Sequence, residues 1–172
     1  MHILMCNDDG ILADGLRQLA TYLSQYYRVT VVAPATEQSA KSHALTTEIP
    51  LKLDAYNGED ENPRLYALTG TPSDCMKFGL SYLLADDMPD LVISGINHGF
   101  NLGSDVLYSG TVSAAMESAF YGIPGLALSV ERYSIERGHE MHPFIHELIE
   151  KIYVNGNFEG LLNVNFPLRG IC

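Results

Sequence analysis

The chain has 172 residues, 47% of them apolar and 18% charged, with a formal net charge of −11. This size and composition suit one folded domain with a substantial core and exclude intrinsic disorder. The negative balance argues against duplex nucleic acid as a partner, because Lys and Arg contacts to phosphate dominate such affinity, and no apolar run approaches the roughly 20 residues needed to span a membrane. The amino terminus turns acidic by Asp8 and lacks the basic start and long apolar stretch of a signal peptide. Cys6, Cys75 and Cys172 show no Cys or His spacing for zinc. They read as reduced thiols of a cytosolic protein, two of them buried.

In chain order, residues 2–6 form a short apolar run ended by Asn7, Asp8, Asp9 and Gly10, the pattern of a buried strand. Asp14 is placed to cap a helix whose apolar positions include Leu16, Leu19, Ala20 and Leu23. Residues 28–33 read as a second strand stopped by Pro34. This β-α-β start implies parallel strands and a right-handed crossover. Residues 49–55 and 64–68 read as a hairpin around an acidic turn, beside the main sheet. Thr71, Pro72 and Asp74 have the pattern of a capping box with proline at the first helical position, opening a helix to about Ala85.

Residues 91–94 read as a strand followed by a Gly- and Asn-rich loop over 95–105. Gly110 or Thr111 opens the next helix, with Val112, Ala115, Ala119 and Phe120 on one face and Gly122 closing it. A strand at 126–130, an amphipathic helix at 139–153 using Phe144, Ile145, Leu148, Ile149 and Ile152, and a strand at 161–164 complete the pattern. The alternation predicts an α/β fold, a Rossmann-like and mostly parallel sheet flanked by helices, with a small hairpin excursion.

In open α/β sheets, ligands bind outside the carboxyl ends of the strands. Asp8 and Asp9 follow the first strand, Ser39 the second, and Asn97 the strand at 91–94; Ser109, Gly110 and Thr111 begin the helix after it. Two carboxylates with a hydroxyl and an amide carbonyl suit a hard divalent cation. Mg²⁺ takes such oxygens at about 2.1 Å and keeps several waters, and Mn²⁺ accepts the same set. With no obvious imidazole or thiolate among them, the set fits zinc less well. A cation so neutralised needs help to attract a phosphate. The N–H groups at the start of the helix at Ser109, Gly110 and Thr111 can give it, and Asn101 can add a side-chain amide. The overall negative charge is screened beyond about 8 Å at physiological salt. Each element also has a bland reading: Asp-Asp-Gly as a turn, Ser39 as a solvated loop residue, Asn97 and Asn101 as turn formers, Ser-Gly-Thr as capping. Their agreement on one face of the sheet favours a site. His43 and His98 are read as loop or structural residues rather than acid–base groups.

Several stretches together resemble the SurE family of survival proteins, which act as nucleotidases and phosphatases. They are residues 7–10 (NDDG), 39–46 (SAKSHALT), 70–75 (GTPSDC), 94–117 (SGINHGFNLGSDVLYSGTVSAAME) and 163–167 (NVNFP). They run in order along nearly the whole chain, and residues 94–117 are the most specific. The resemblance implies a divalent-metal-dependent 5′-nucleotidase, a hydrolase of nucleoside monophosphates. Some members also act on 3′-monophosphates, polyphosphate or other phosphomonoesters. It assigns metal binding to Asp8, Asp9, Ser39 and Asn97, and phosphate contacts to Asn101, Ser109, Gly110 and Thr111. It implies a cytoplasmic homodimer or homotetramer. Members continue well past the Asn-Phe-Pro motif, with a later segment that can exchange between subunits. Residues 1–172 are therefore expected to be a single domain of this type without that extension.

Asp8 is the candidate catalytic residue. The attacking group is either a metal-activated water or Asp8 itself. The main rival is a non-enzymatic phospho-receiver domain, which also carries an acidic pair after its first strand. Its acceptor position would fall here on Ser94 or Gly95, with no Asp, and no suitable Lys ends the strand at 126–130. A dinucleotide-binding module would require GxGxxG after the first strand, and the sequence lacks it there.

Overall fold

A computed structural model describes residues 1–58, 60–131 and 139–167. The strands are β1 (His2–Cys6), β2 (Arg28–Pro34), β3 (Leu53–Ala55), β4 (Arg64–Leu68), β5 (Leu91–His98), β6 (Gly125–Val130) and β7 (Leu161–Phe166). The helices are α1 (Asp14–Leu23), α2 (Pro72–Phe78), α3 (Gly110–Glu117) and α4 (His142–Ile149). The strands form one seven-stranded sheet in the order β3-β4-β2-β1-β5-β6-β7. Among the described residues, only the β3–β4 pair is antiparallel. The chain builds outward from β1 to β2 and β4, then returns to lay β5, β6 and β7 on the other side. The strand order therefore reverses between β1 and β5, and a crevice opens at their carboxyl ends.

The alternation of side chains across β1 divides the core. Ile3 and Met5 pack with Leu16, Leu19 and Leu23 of α1 and Ile145 and Ile149 of α4. Leu4 and Cys6 face the other way, against Cys75 and Met76 of α2 and Ala114 of α3. Both faces of the sheet are thus covered, which is why its central strands read as continuous apolar runs. Cys6 and Cys75 are buried free thiols, as expected, and Cys172 lies outside the described residues.

Several elements differ from the sequence expectation in instructive ways. Asp14 is the first residue of α1 rather than its cap; Ala13 holds the cap position, with no side-chain bond. Asp14 still places negative charge in the first turn, where the helix dipole favours it. The capping box of α2 forms as expected: Thr71 Oγ1 accepts from the Asp74 N–H at 3.1 Å, and Asp74 Oδ2 accepts from the Thr71 N–H at 2.9 Å. That helix ends at Phe78 and continues as a wide π turn over Gly79–Leu83.

The β3–β4 hairpin is not separate from the main sheet, because β4 pairs directly with β2, and β3 is only Leu53–Ala55. Helix α3 stops at Glu117 and passes into a 3₁₀ turn closed by Gly122 at φ 68°, so Phe120 is 77% exposed instead of lying on the core face. The amphipathic segment at 139–153 is α4 followed by a π turn. Its Phe144 is also exposed, edge-on to Phe166 at 5.6 Å.

The largest difference is β5. It continues through Gly95, Ile96 and Asn97 to His98, where a loop was expected. β6 supplies the partners: Asn97 lies opposite Ser129 and His98 opposite Val130, past an irregularity between Ser94 and Asn97. Gly95 makes this possible. Its φ is 130°, and a Cβ there would collide with the carbonyl oxygen of Leu128. Gly95→Ala should therefore lower stability by about 3 kcal/mol or more, summing positive-φ strain and a backbone clash. Urea unfolding checks this, and a loss under 1 kcal/mol would contradict it.

Candidate active site at the carboxyl ends of β1 and β5

The turn after β1 is held by its own side chains. Asn7 Oδ1 accepts from the Gly10 N–H at 3.1 Å, and Asn7 Nδ2 donates to the Gly10 carbonyl at 3.2 Å. Gly10 has φ 102°, which a side chain would resist. The Ile11 N–H reaches the Pro34 carbonyl at 2.8 Å, and the Gln38 N–H reaches the Asp8 carbonyl at 2.7 Å. The loop after β2 is thereby laid against Asp8, with Ser39 as the next residue. Ser39 is exposed and donates its hydroxyl to Glu37 Oε1 at 2.6 Å.

Helix α3 begins on top of Asp8. The Thr111 hydroxyl donates to Asp8 Oδ1 at 2.7 Å, with both residues buried. A Cβ on Gly110 would lie 3.1 Å from Asp8 Cβ and 3.2 Å from Asp8 Oδ2, so glycine lets the helix start approach the carboxylate closely. Ser109 caps the helix, its Oγ accepting from the Val112 N–H at 3.1 Å. The capping reading of Ser109 is thus correct. It leaves the N–H groups of Gly110 and Thr111 as helix-start donors without intrahelical partners.

Asn97 sits near the end of β5, next to β1 in the sheet. Its Nδ2 donates to the Gly99 carbonyl at 2.8 Å, which leaves its Oδ1 as an acceptor. Asn101 is buried, and its Nδ2 donates to Ser129 Oγ at 2.8 Å. That bond commits one amide hydrogen and leaves the second for other acceptors.

Two polar groups were not expected from the sequence. Glu37 and His98 both act electrostatically on Asp8 and Asp9. Among the described residues, Asp9 Oδ2 and His98 Nδ1 are buried without a hydrogen-bond partner. An orphaned buried carboxylate oxygen is costly unless something binds it. The described residues hold no cluster of three or more His, Cys, Asp or Glu able to bind a metal. A cation at Asp8 and Asp9 would therefore draw on neutral oxygens such as those of Ser39 and Asn97. The orphaned oxygen and this hard-donor chemistry fit a divalent ion. One unexpected pair, His43 Nε2 and Glu117 Oε1 at 2.5 Å, fastens the Ser39 loop to the end of α3. No local signal could reveal a pair separated by 74 positions.

The two acids repel each other in a partly dry setting. Burial raises the Asp8 carboxyl above its ordinary range, while the Thr111 hydrogen bond opposes that rise. Burial and the neighbouring Asp8 charge push Asp9 up to about 6. A carboxyl whose pKa is raised on folding stabilises the fold fully below its unfolded value and loses that contribution as pH rises through about 6. In metal-free protein, Asp9→Asn should therefore raise the melting temperature at pH 8 by about 2–4 °C, allowing for solvent screening. The gain should vanish near pH 4. Thermal melts with chelator across this range check it, and a pH-independent effect would contradict it.

The chain matches the family model for survival protein SurE over residues 3–171. It is 50% identical over 168 residues to a protein of Thermoanaerobacter sp. (strain X514) named 5′-nucleotidase SurE, an alignment covering 97% of this chain and 66% of that relative. It is 47% identical over 172 residues to the 5′-nucleotidase SurE of Thermosipho africanus (strain TCF52B), covering 97% of this chain and 65% of the relative. The chain thus spans just under two thirds of the length of these relatives. The crystal structure of the SurE protein from Aquifex aeolicus superposes with a TM-score of 0.85 at 40% identity, over 97% of this chain and 66% of that one. These matches set aside the phospho-receiver reading. A family model spanning almost the whole sequence, together with a shared fold at this level of identity, establishes that the chain belongs to the SurE family.

Proposed function

We propose that the chain is a divalent-metal-dependent phosphomonoester hydrolase that removes phosphate from nucleoside 5′-monophosphates, with 3′-monophosphates and polyphosphate as further substrates. One observation carries this reading: the amino terminus of α3 is built directly on the Asp8 carboxylate, through Thr111 at 2.7 Å and the close approach of Gly110. An anion-binding helix end beside an acidic pair is of little use for either ion alone, and suits a cation and a phosphate bound together. The relatives named 5′-nucleotidase supply the substrate class.

Asp8, Asp9, Ser39 and Asn97 would hold the ion, Mg²⁺ or Mn²⁺. When bound, it supplies positive charge against the phosphoryl oxygens and lowers the pKa of water. The N–H groups of Gly110 and Thr111, with the Ser109 segment, hold the phosphate oxygens where charge develops. The second amide hydrogen of Asn101 is the further donor. Thr111 binds Asp8 Oδ1 and so fixes the rotamer of the acid, leaving Oδ2 on the Gly110 side, where the phosphate would sit. Asp8 in that position either orients the attacking water or attacks phosphorus itself. Stereochemistry at phosphorus separates the two: with an isotopically chiral thiophosphoryl substrate, net retention supports attack by the carboxylate through a phospho-Asp8 that water then hydrolyses, and net inversion supports direct attack by water.

Release of phosphate from AMP with Mg²⁺ or Mn²⁺, abolished by chelator, is the expected activity. Asp8→Asn and Asp9→Asn should each reduce it by about 10³-fold or more, and Thr111→Val by about tenfold or more. Unchanged turnover in both acid variants would remove the metal-site reading.

Cytoplasmic placement and a homodimeric or homotetrameric assembly belong to the same proposal. Cys6 and Cys75 as free thiols support the first. Leu107, Tyr108 and Phe120, at 72%, 68% and 77% exposure, give apolar surface for the second. Light scattering at micromolar concentration should give twice the chain mass or more, and a monomer would contradict it.

A further inference from the structure

The Asn-Val-Asn-Phe-Pro stretch has no part in the chemistry described so far, yet two of its side chains grip the loop that leaves β5. Asn165 Oδ1 accepts from the Asn101 N–H at 2.8 Å, and Asn165 Nδ2 donates to the Asn101 carbonyl at 3.3 Å. Asn163 Nδ2 donates to the same carbonyl at 2.8 Å. Asn165 Nδ2 also reaches Asn163 Oδ1 at 3.3 Å, which orients the pair. The Asn101 peptide groups are thus read by side-chain amides as a strand would read them, although no strand lies there.

The placement follows from the sheet. β7 pairs with β6, with Asn163 opposite Ala127 and Asn165 opposite Ser129. Leu162 and Val164 turn to the core on the α1 and α4 side, so Asn163 and Asn165 fall on the opposite side. Ser129 of β6 binds the Asn101 side chain at 2.8 Å. On the other flank, the Gly99 N–H is fixed to the Val130 carbonyl at 2.9 Å. Asn97 precedes both anchors on β5, and its Nδ2 is tied to the Gly99 carbonyl. Asn163 and Asn165 are thus carried by β7, the edge strand, with β6 and β5 between it and β1.

We propose that Asn163 and Asn165 are positioning residues, which clamp the Asn101 backbone and thereby fix Asn97 and Asn101 for the cation and the phosphate. This rests on the site assignment under the proposed function. Amide side chains suit the task because they present a donor and an acceptor on adjacent atoms to one residue's C=O and N–H. Without the clamp those peptide groups would turn to water, and the loop, with φ of 133° at Gly99 and 56° at Gly103, would be free to rearrange.

The test compares Asn165→Leu, Asn165→Asp and Asn163→Leu with the parent full chain. Asn165→Asp keeps an acceptor for the Asn101 N–H and loses the donor, and it covers the case in which the leucine variant does not fold. Three readouts are taken: hydrogen exchange at the Asn101 amide, Mn²⁺ affinity by calorimetry, and kcat and KM for AMP. Asn165→Leu should accelerate exchange at Asn101 at least tenfold. It should weaken Mn²⁺ binding or raise KM by about tenfold, the loss expected for two modest hydrogen bonds. Asn165→Asp should retain most of the Asn101 protection, and Asn163→Leu should show smaller losses of the same kind. Unchanged exchange at Asn101 would overturn the clamp itself. Faster exchange with unaltered Mn²⁺ affinity, kcat and KM would overturn its positioning role, leaving a structural one. A parent chain that neither binds Mn²⁺ nor releases phosphate would instead overturn the functional reading, and the positioning role with it.

Discussion

The hydrogen bond from Thr111 to Asp8 joins the two halves of the site. Asp8 lies in the turn after the central strand of the sheet, and Thr111 lies in the first turn of the helix that packs on the far side from α1. A buried carboxylate without a donor is costly, and the Thr111 hydroxyl supplies that donor while the helix-start N–H groups stay open to an anion. Under the proposed function, this bond would set a cation at the acid beside an anion at the helix start. Gly110 sets how close that approach is, because any side chain there would meet the Asp8 carboxylate.

The sheet order explains why the remaining groups converge. β1 lies between β2 and β5, and the chain reverses its direction of growth between β1 and β5. The loop after β2 is drawn to Asp8 through the Gln38 N–H, bringing Ser39. β5 brings Asn97, and the segment after it brings Ser109 and α3. Pairing of Glu117 with His43 then ties the Ser39 loop back to the same helix. Each of these connections is a long-range contact made possible by parallel pairing, which keeps the carboxyl ends of β1, β2, β4, β5, β6 and β7 on one edge. The acidic pair is left electrostatically frustrated, with Asp9 raised to about 6 and one of its oxygens unpartnered. Functional sites commonly carry such a cost, offset elsewhere in the fold.

Much of this was legible in the sequence, for physical reasons. The apolar spacing of α1 named the residues that are buried, and the Thr71–Asp74 capping box formed as its pattern required. Asp8, Asp9, Asn97 and the start of α3 were marked by the rule that ligands gather at strand ends. Composition misled at β5, where glycine and asparagine suggested a loop. The ladder to β6 overrode that local preference, and Gly95 serves close packing instead of a turn. Phe120 and Phe144 were placed inward by helical periodicity, which fails where α3 tightens into a 3₁₀ turn and where α4 has only one core-facing stripe. The influence of Glu37 and His98 on the acids, the His43–Glu117 pair and the grip of Asn165 on Asn101 join residues far apart in sequence. Such pairs leave no periodic signal in a single chain.

The central claim is that one site holds a divalent cation at the acidic pair and a phosphate at the start of α3. The most direct measurement is a crystal structure of the protein with Mn²⁺ and inorganic phosphate, recorded at the manganese absorption edge. The account predicts one anomalous peak within bonding distance of Asp8 and Asp9, with Ser39 and Asn97 completing the protein ligands and phosphate on the N–H groups of Gly110 and Thr111. Absence of that peak at saturating Mn²⁺, or a phosphate bound away from α3, would contradict it.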